Sequence, residues 1–320
     1  MPQDIKLLVT RQFPADVLAR AGADYAATFN SKDTAWQGAE LIAQAEGQDG
    51  IMCSSSNKFT PDVIAGLPDR VRILATFSVG FEHIDLNAAK ARGIAVTNTP
   101  DVLSAATADI AFMLLLCASR RAGEADRMVR GGHWKGWTPT QLLGTGMQGK
   151  RLAILGMGGI GREVAARGRG FGMKIHYHNR SRLSLELEQG AVYHETAEDL
   201  LRVADFLSFN CPMSDDMKHF LNTRRIALLP DGAVVVNTAR GGLVEDAALI
   251  NALKSGKVSA AGLDVYEGEP NVNPAYWELD NAFLTPHIGS ATVETRNAMG
   301  FRALDNLDAF FAGETPVDLL

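Results

Sequence analysis

Short apolar runs at residues 5–9, 50–53, 72–76 and 94–96 alternate with helix-like stretches such as 14–21 and 61–67. That alternation predicts βαβ units and a parallel sheet, because a parallel connection must cross back over the sheet and a helix is the usual crossover. Residues 101–130 read as one long helical stretch. Its centre, 109–118, is apolar on too many sides to face solvent and is expected to pack between domains or subunits. After a loop at 131–139, rich in glycine and aromatics, a second series begins. Its strands are expected at 152–155, 174–177, 191–193, 205–209, 233–237, 260–264 and 282–285. A helix over 245–255 is closed by Gly256, and a last helix over 292–311 is free to return to the first domain. The fold class is therefore α/β, with two Rossmann-like doubly wound parallel-sheet domains, the first of them discontinuous.

The second series opens on Arg151-Leu-Ala-Ile-Leu-Gly-Met-Gly-Gly-Ile-Gly161, an apolar run ending in Gly156-x-Gly158-x-x-Gly161 with Gly159 and Ile160 inside it. Glycines also serve plain turns and helix packing. Here an apolar strand precedes them and the helix-forming Glu163-Val-Ala-Ala-Arg167 follows, which is the context a dinucleotide loop requires. Such a turn brings backbone close to a pyrophosphate while the unpaired N–H groups of the helix start face its oxygens.

Composition narrows the field. The chain has 320 residues, 46% of them hydrophobic and 21% charged, enough for two domains of common size. The formal net charge is -6 and the basic residues are scattered, which argues against a nucleic-acid partner. Cys53, Cys117 and Cys211 are too few and too far apart for a disulfide framework or a metal cluster, and they suit a reduced cytoplasm. Residues 1–9 lack a signal-peptide pattern, and the longest apolar run, 110–119, is too short to cross a bilayer. A cytoplasmic protein with no membrane partner is expected.

Three side chains after strand ends can carry chemistry. Arg240, in Asn237-Thr-Ala-Arg-Gly-Gly242, is aimed at the crevice where open α/β sheets bind ligands, and a guanidinium fork suits a carboxylate. His287 and Glu269 follow consecutive predicted strands, so neighbouring strand ends can bring them together. A carboxylate on one imidazole nitrogen fixes the tautomer and favours the protonated ring, as a general acid near neutral pH needs. The six other histidines are read as structural, none having such a setting.

Together, Arg240 in Asn-Thr-Ala-Arg-Gly-Gly-Leu-Val, Glu269 in Asp-Val-Tyr-Glu-Gly-Glu-Pro, His287 in Pro-His-Ile-Gly-Ser-Ala-Thr and the glycine loop resemble the D-isomer-specific 2-hydroxyacid dehydrogenases over nearly the whole chain. Ser78-Val-Gly-Phe-Glu-His-Ile-Asp85, Thr99-Pro-Asp-Val-Leu103, Gly131-Gly-His-Trp-Lys-Gly-Trp-Thr-Pro139 and His287-Ile-Gly-Ser-Ala-Thr-x-x-Thr-Arg296 make the glyoxylate/hydroxypyruvate reductases the nearest resemblance within it. It implies hydride transfer to a small 2-oxo acid, with His287 as general acid, Glu269 orienting and charging it, and Arg240 holding the carboxylate and polarising the carbonyl. It also implies that backbone N–H groups of Val79 and Gly80, with Ser290, meet the substrate from the other domain, and that domain closure excludes water. Cys211, Pro212, Thr238, Ala239, Asp264 and Gly289 match dinucleotide contacts of the family, beside Arg240 and His287. The corresponding boundaries are residues 1–99 and 288–320 for a flavodoxin-like substrate-binding domain and 100–287 for the dinucleotide-binding domain.

One departure concerns the cofactor. An acid normally takes the ribose 2′-hydroxyl about 20 residues past the glycine loop. Here the run is Tyr177-His-Asn179-Arg180-Ser181-Arg182, with no acid, which favours NADP(H) over NAD(H). The apolar face of 101–130 and Trp134 with Trp137 predict a homodimer, and the resemblance places Trp137 in the neighbour's pocket. A dehydrogenase-like corepressor module and a formate- or phosphite-type dehydrogenase are the alternatives on the same fold.

Overall fold

Strands β1 (Lys6–Val9), β2 (Ala26–Phe29), β3 (Gly50–Cys53), β4 (Ile73–Thr76) and β5 (Ala95–Thr97) form a parallel sheet in the order β2-β1-β3-β4-β5. The structure is a computed structural model and describes residues 4–320; Met1, Pro2 and Gln3, where the segment read for a signal peptide begins, lie outside the described residues. Residues up to Leu103 together with Ser290–Leu320 make one unit, and Ser104–Gly289 make the other.

In the first unit β3 and β4 are buried at every position, as continuous apolar runs in a doubly covered parallel sheet should be. One face packs Leu8, Ile51 and Leu74 against Trp36, Leu41 and Phe59. The other packs Leu7, Val9 and Met52 against Val17, Ala21 and three residues of the last helix, Val293–Phe311: Ala303, Leu304 and Leu307. That helix starts where Thr292 Oγ1 accepts from Thr295 N at 3.0 Å, and its return makes this unit discontinuous in sequence. Strand β2 is an addition to the sequence reading. It lies at the sheet edge, is mostly exposed, and offers only the short Ala-Ala-Thr-Phe, two small residues, a threonine and one large apolar side chain.

The second unit holds β6 (Arg151–Leu155), β7 (Lys174–His178), β8 (Val192–Tyr193), β9 (Phe206–Phe209), β10 (Ala233–Asn237), β11 (Val258–Leu263) and β12 (Ala282–Leu284), all parallel, in the order β12-β11-β10-β9-β6-β7-β8. Strand order reverses between β6 and β9, and ligands of open α/β sheets bind beyond the carboxyl ends at such a switch point.

The expected single helix over 101–130 is two, Ser104–Ser119 and Ala122–Arg130, because Arg121 enters the left-handed region at φ 56°. Neither glycine nor proline marks that break. In the first of them Ala108, Ala111, Leu114 and Leu115 pack on Leu152, Ile154, Val234 and Val236 of the unit's own sheet. Among the described residues no helix is long and apolar enough to cross a membrane.

Candidate active site

Beyond β6 the chain turns at Gly156, whose φ of 92° few other residues adopt. A Cβ there would lie 2.7 Å from the backbone of Cys211, and one on Gly161 would lie 2.2 Å from the Gly156 carbonyl oxygen, so both glycines are required by contact. The helix Gly159–Gly170 starts behind Gly158 with no side-chain cap, leaving its first N–H groups for an anion. Across the switch point, at the ends of β9 and β10, Asn210 Oδ1 and Thr238 Oγ1 are buried without a hydrogen-bond partner. Glycines that admit a close backbone, an uncapped helix start and two orphaned oxygens fit a dinucleotide lying across this sheet. Pro212 and Ala239 follow those same strand ends. Cys211 lines the turn, and burial pushes its thiol up to about 12, which makes it a poor nucleophile.

The next two strand ends carry the ionisable groups. Asn237 fixes the turn after β10 by accepting from Ala239 N at 2.9 Å and donating to the Arg240 carbonyl at 2.8 Å, and Arg240 Nη1 donates to the Ala239 carbonyl at 2.7 Å. After β11 and β12, which pair in the sheet, Glu269 Oε2 and His287 Nδ1 stand 2.7 Å apart. Glu269 Oε1 also accepts from Tyr266 N at 2.8 Å. Asp264 holds the turn that presents the histidine: its carboxylate, 1% exposed, accepts from Thr285 Oγ1 at 2.6 Å and from Ile288 N and Gly289 N at 2.8 Å. The same turn keeps His287 in the left-handed region, φ 53°, a cost accepted at functional positions.

The hydrogen bond to Glu269 raises the His287 pKa above its ordinary value against the opposing effect of burial, with further help from the charges of Glu269 and Asp264 and opposition from Arg240. Burial pushes Glu269 upward, but the bond to His287, that ring's charge, the Tyr266 N–H and Arg240 outweigh it and hold the carboxyl below its usual range. Arg240, Glu269 and His287 thus act on one another within the second unit.

In the first unit, Val79 and Gly80 follow β4 in a pinned loop. Asn98 Nδ2 donates to the Val79 carbonyl at 2.8 Å and Ser78 Oγ to the Gly80 carbonyl at 2.6 Å, while the two N–H groups find no partner among the described residues. Ser290 is half-buried just before the last helix.

Past β7, Asn179 Oδ1 accepts from Met157 N at 2.6 Å and ties this segment to the glycine loop. Arg180 and Ser181 are exposed. The reading of Arg182 as a second charge for a phosphate needs correction, since its guanidinium is engaged by Glu188 at 2.7 Å. An acid therefore stands by this segment after all, six residues beyond the run that lacks one. Another correction concerns His219, whose Nε2 bonds Glu267 Oε1 at 2.7 Å, so His287 is not alone in having a carboxylate partner. Trp134 and Trp137 are 56% and 79% exposed, and the neighbouring helix Ala122–Arg130 buries no residue. Among the described residues no group of three or more His, Cys, Asp or Glu could hold a metal ion.

Comparison with known proteins gives a consistent picture. Residues 112–289 match the sequence profile of the D-isomer specific 2-hydroxyacid dehydrogenase, NAD binding domain. The chain is 41% identical to a glycerate dehydrogenase of Hyphomicrobium methylovorum over 96% of each, and 40% identical to a glyoxylate reductase of Thermococcus litoralis over 98% of this chain and 96% of that one. A crystal structure described as NADPH-dependent glyoxylate/hydroxypyruvate reductase from Sinorhizobium meliloti, in complex with NADP and malonate, superposes with a TM-score of 0.89 at 33% identity, covering 99% of this chain and 96% of that one.

Proposed function

The chain belongs to the D-isomer specific 2-hydroxyacid dehydrogenases, an NAD(P)-dependent oxidoreductase family, and on that premise we propose that it reduces glyoxylate to glycolate or hydroxypyruvate to D-glycerate with NADPH preferred over NADH. The observation that carries this reading is the His287–Glu269 pair at 2.7 Å, with Arg240 acting on both, in the same unit as a glycine turn shaped for a dinucleotide. A reduced nicotinamide, when bound, supplies the hydride. The protein's own part is to hold the carboxylate with the Arg240 fork, to steady the substrate with the Val79 and Gly80 N–H groups, and to give the nascent alkoxide a proton from His287 Nε2. Names of similar proteins support the substrate class, and the NADP-bound relative supports the cofactor. Reduction of hydroxypyruvate with NADPH carrying deuterium at both C4 positions tests the reaction. Deuterium at C2 of D-glycerate is expected; the L isomer, or D-glycerate without label, excludes it.

Glu269 makes a prediction about pH. The protonated ring is the donor, and Glu269 keeps it protonated to higher pH, so reduction should fall as pH rises through the raised His287 pKa. In Glu269→Gln the carboxylate charge is gone and the descending limb should move to lower pH, with kcat near neutrality reduced by about tenfold or more. An unmoved limb removes Glu269 from this role.

The reading extends to a cytoplasmic homodimer in which Trp137 completes the neighbouring subunit's pocket. Its support is the exposure of Trp137, Trp134, Val129 and Leu143 on one stretch of chain beside a helix that buries nothing. Sedimentation at micromolar concentration should show a dimer, and a monomer contradicts the assembly.

A further inference from the structure

Glu188 is a nearly buried carboxylate, 3% exposed, on a surface-facing stretch of the second unit. Arg182 Nε and Nη2 donate to its two oxygens at 2.7 and 3.1 Å, and Tyr177 Oη donates to Oε1 at 2.7 Å. Those hydrogen bonds hold the Glu188 carboxyl below the usual carboxylate range, Arg182 first and Tyr177 second. Tyr177 Oη in turn accepts from Leu183 N at 3.0 Å, and the Arg182 guanidinium lies 5.7 Å over the Tyr193 ring. The segment 178–188 is thereby folded onto itself. Arg180, by contrast, is exposed and makes no side-chain hydrogen bond or ion pair among the described residues.

We propose that Glu188 sets how strongly this chain separates NADP(H) from NAD(H), by engaging Arg182 and leaving Arg180 as the arginine that reads a 2′-phosphate. The inference rests on the dinucleotide site described above and makes Glu188 a positioning residue within it. A bidentate carboxylate fixes the guanidinium's direction and offsets its charge, so Arg182 contributes little field at the ribose end. Two exposed arginines without Glu188 would grip the phosphate harder; the clamp moderates the preference.

Calorimetric titration of the full chain with NADP⁺ and with NAD⁺ reads this without turnover. Arg182→Met, which keeps an apolar stem against Tyr193, should change the NADP⁺ Kd by less than about threefold. Glu188→Gln, which can still accept from Tyr177, should release Arg182 and tighten NADP⁺ by about five- to tenfold while NAD⁺ stays within about twofold. The double variant should lose that gain. A tenfold or greater weakening of NADP⁺ alone by Arg182→Met overturns the proposal, since Arg182 is then itself a phosphate ligand. Equal changes for both dinucleotides in Glu188→Gln overturn it as well, and either single variant decides if the other does not fold. Intact dinucleotide binding without 2-oxo acid reduction overturns the proposed activity and leaves the clamp standing.

Discussion

His287→Ala is expected to lower kcat for 2-oxo acid reduction by about 100- to 10,000-fold, the range a general acid contributes, while cofactor affinity stays nearly unchanged. On the proposed reading the side chain acts where the carbonyl oxygen takes up charge, whereas the glycine turn, the uncapped helix start and Asn179, which bonds Met157 N, would meet the opposite end of a dinucleotide. The backbone at this position complicates a simple deletion, because residue 287 sits at φ 53°. His287→Asn is the informative companion, since asparagine enters the left-handed region more readily than alanine. Equal losses in the two variants assign the effect to the missing proton, not to a rearranged turn. A change in kcat below about threefold in both excludes His287 as the acid.

The second large effect is expected at Arg180. A charged hydrogen bond is worth about 1.5 to 3 kcal/mol, so one such bond to a 2′-phosphate gives NADPH at least about a tenfold advantage in kcat/KM. Arg180→Asp should abolish or invert that advantage. Its carboxylate would repel the phosphate and could accept the ribose hydroxyl, as the acid usual at this point of the fold does. Low salt is the right condition, because exposed charges are screened within about 10 Å at 0.1 M ionic strength. An unchanged ratio in Arg180→Asp, or equal kcat/KM for the two cofactors in the parent, contradicts this assignment.

How far such features could be read from sequence varied with their physics. Strands β3 and β10 were legible residue by residue because both faces are covered and every position is buried and, apart from Asn237 at the end of β10, apolar. Edge strand β2 was not, since it is only four residues long and its mostly exposed positions need no bulky apolar pattern. The break at Arg121 carries no glycine or proline, so only tertiary packing reveals it. Among candidate site residues, those directly after buried strands stood out, because an apolar run ending in a polar motif is visible in one dimension. Glu188 gave no such sign. It reaches Arg182 only because Ser184 starts a short helix, Leu185–Glu188, that turns back beneath the loop. Likewise, Asp264 could be matched to a family position, but its grip on the turn bearing His287 depends on three-dimensional closure.

The central claim is the reaction itself, and steady-state kinetics with a panel of 2-oxo acids and both reduced cofactors tests it most directly. Glyoxylate and hydroxypyruvate should be reduced rapidly, faster with NADPH than with NADH, and bulkier 2-oxo acids more slowly. Tight cofactor binding without oxidation by any 2-oxo acid, or cofactor reduction by formate or phosphite in its place, would contradict the account.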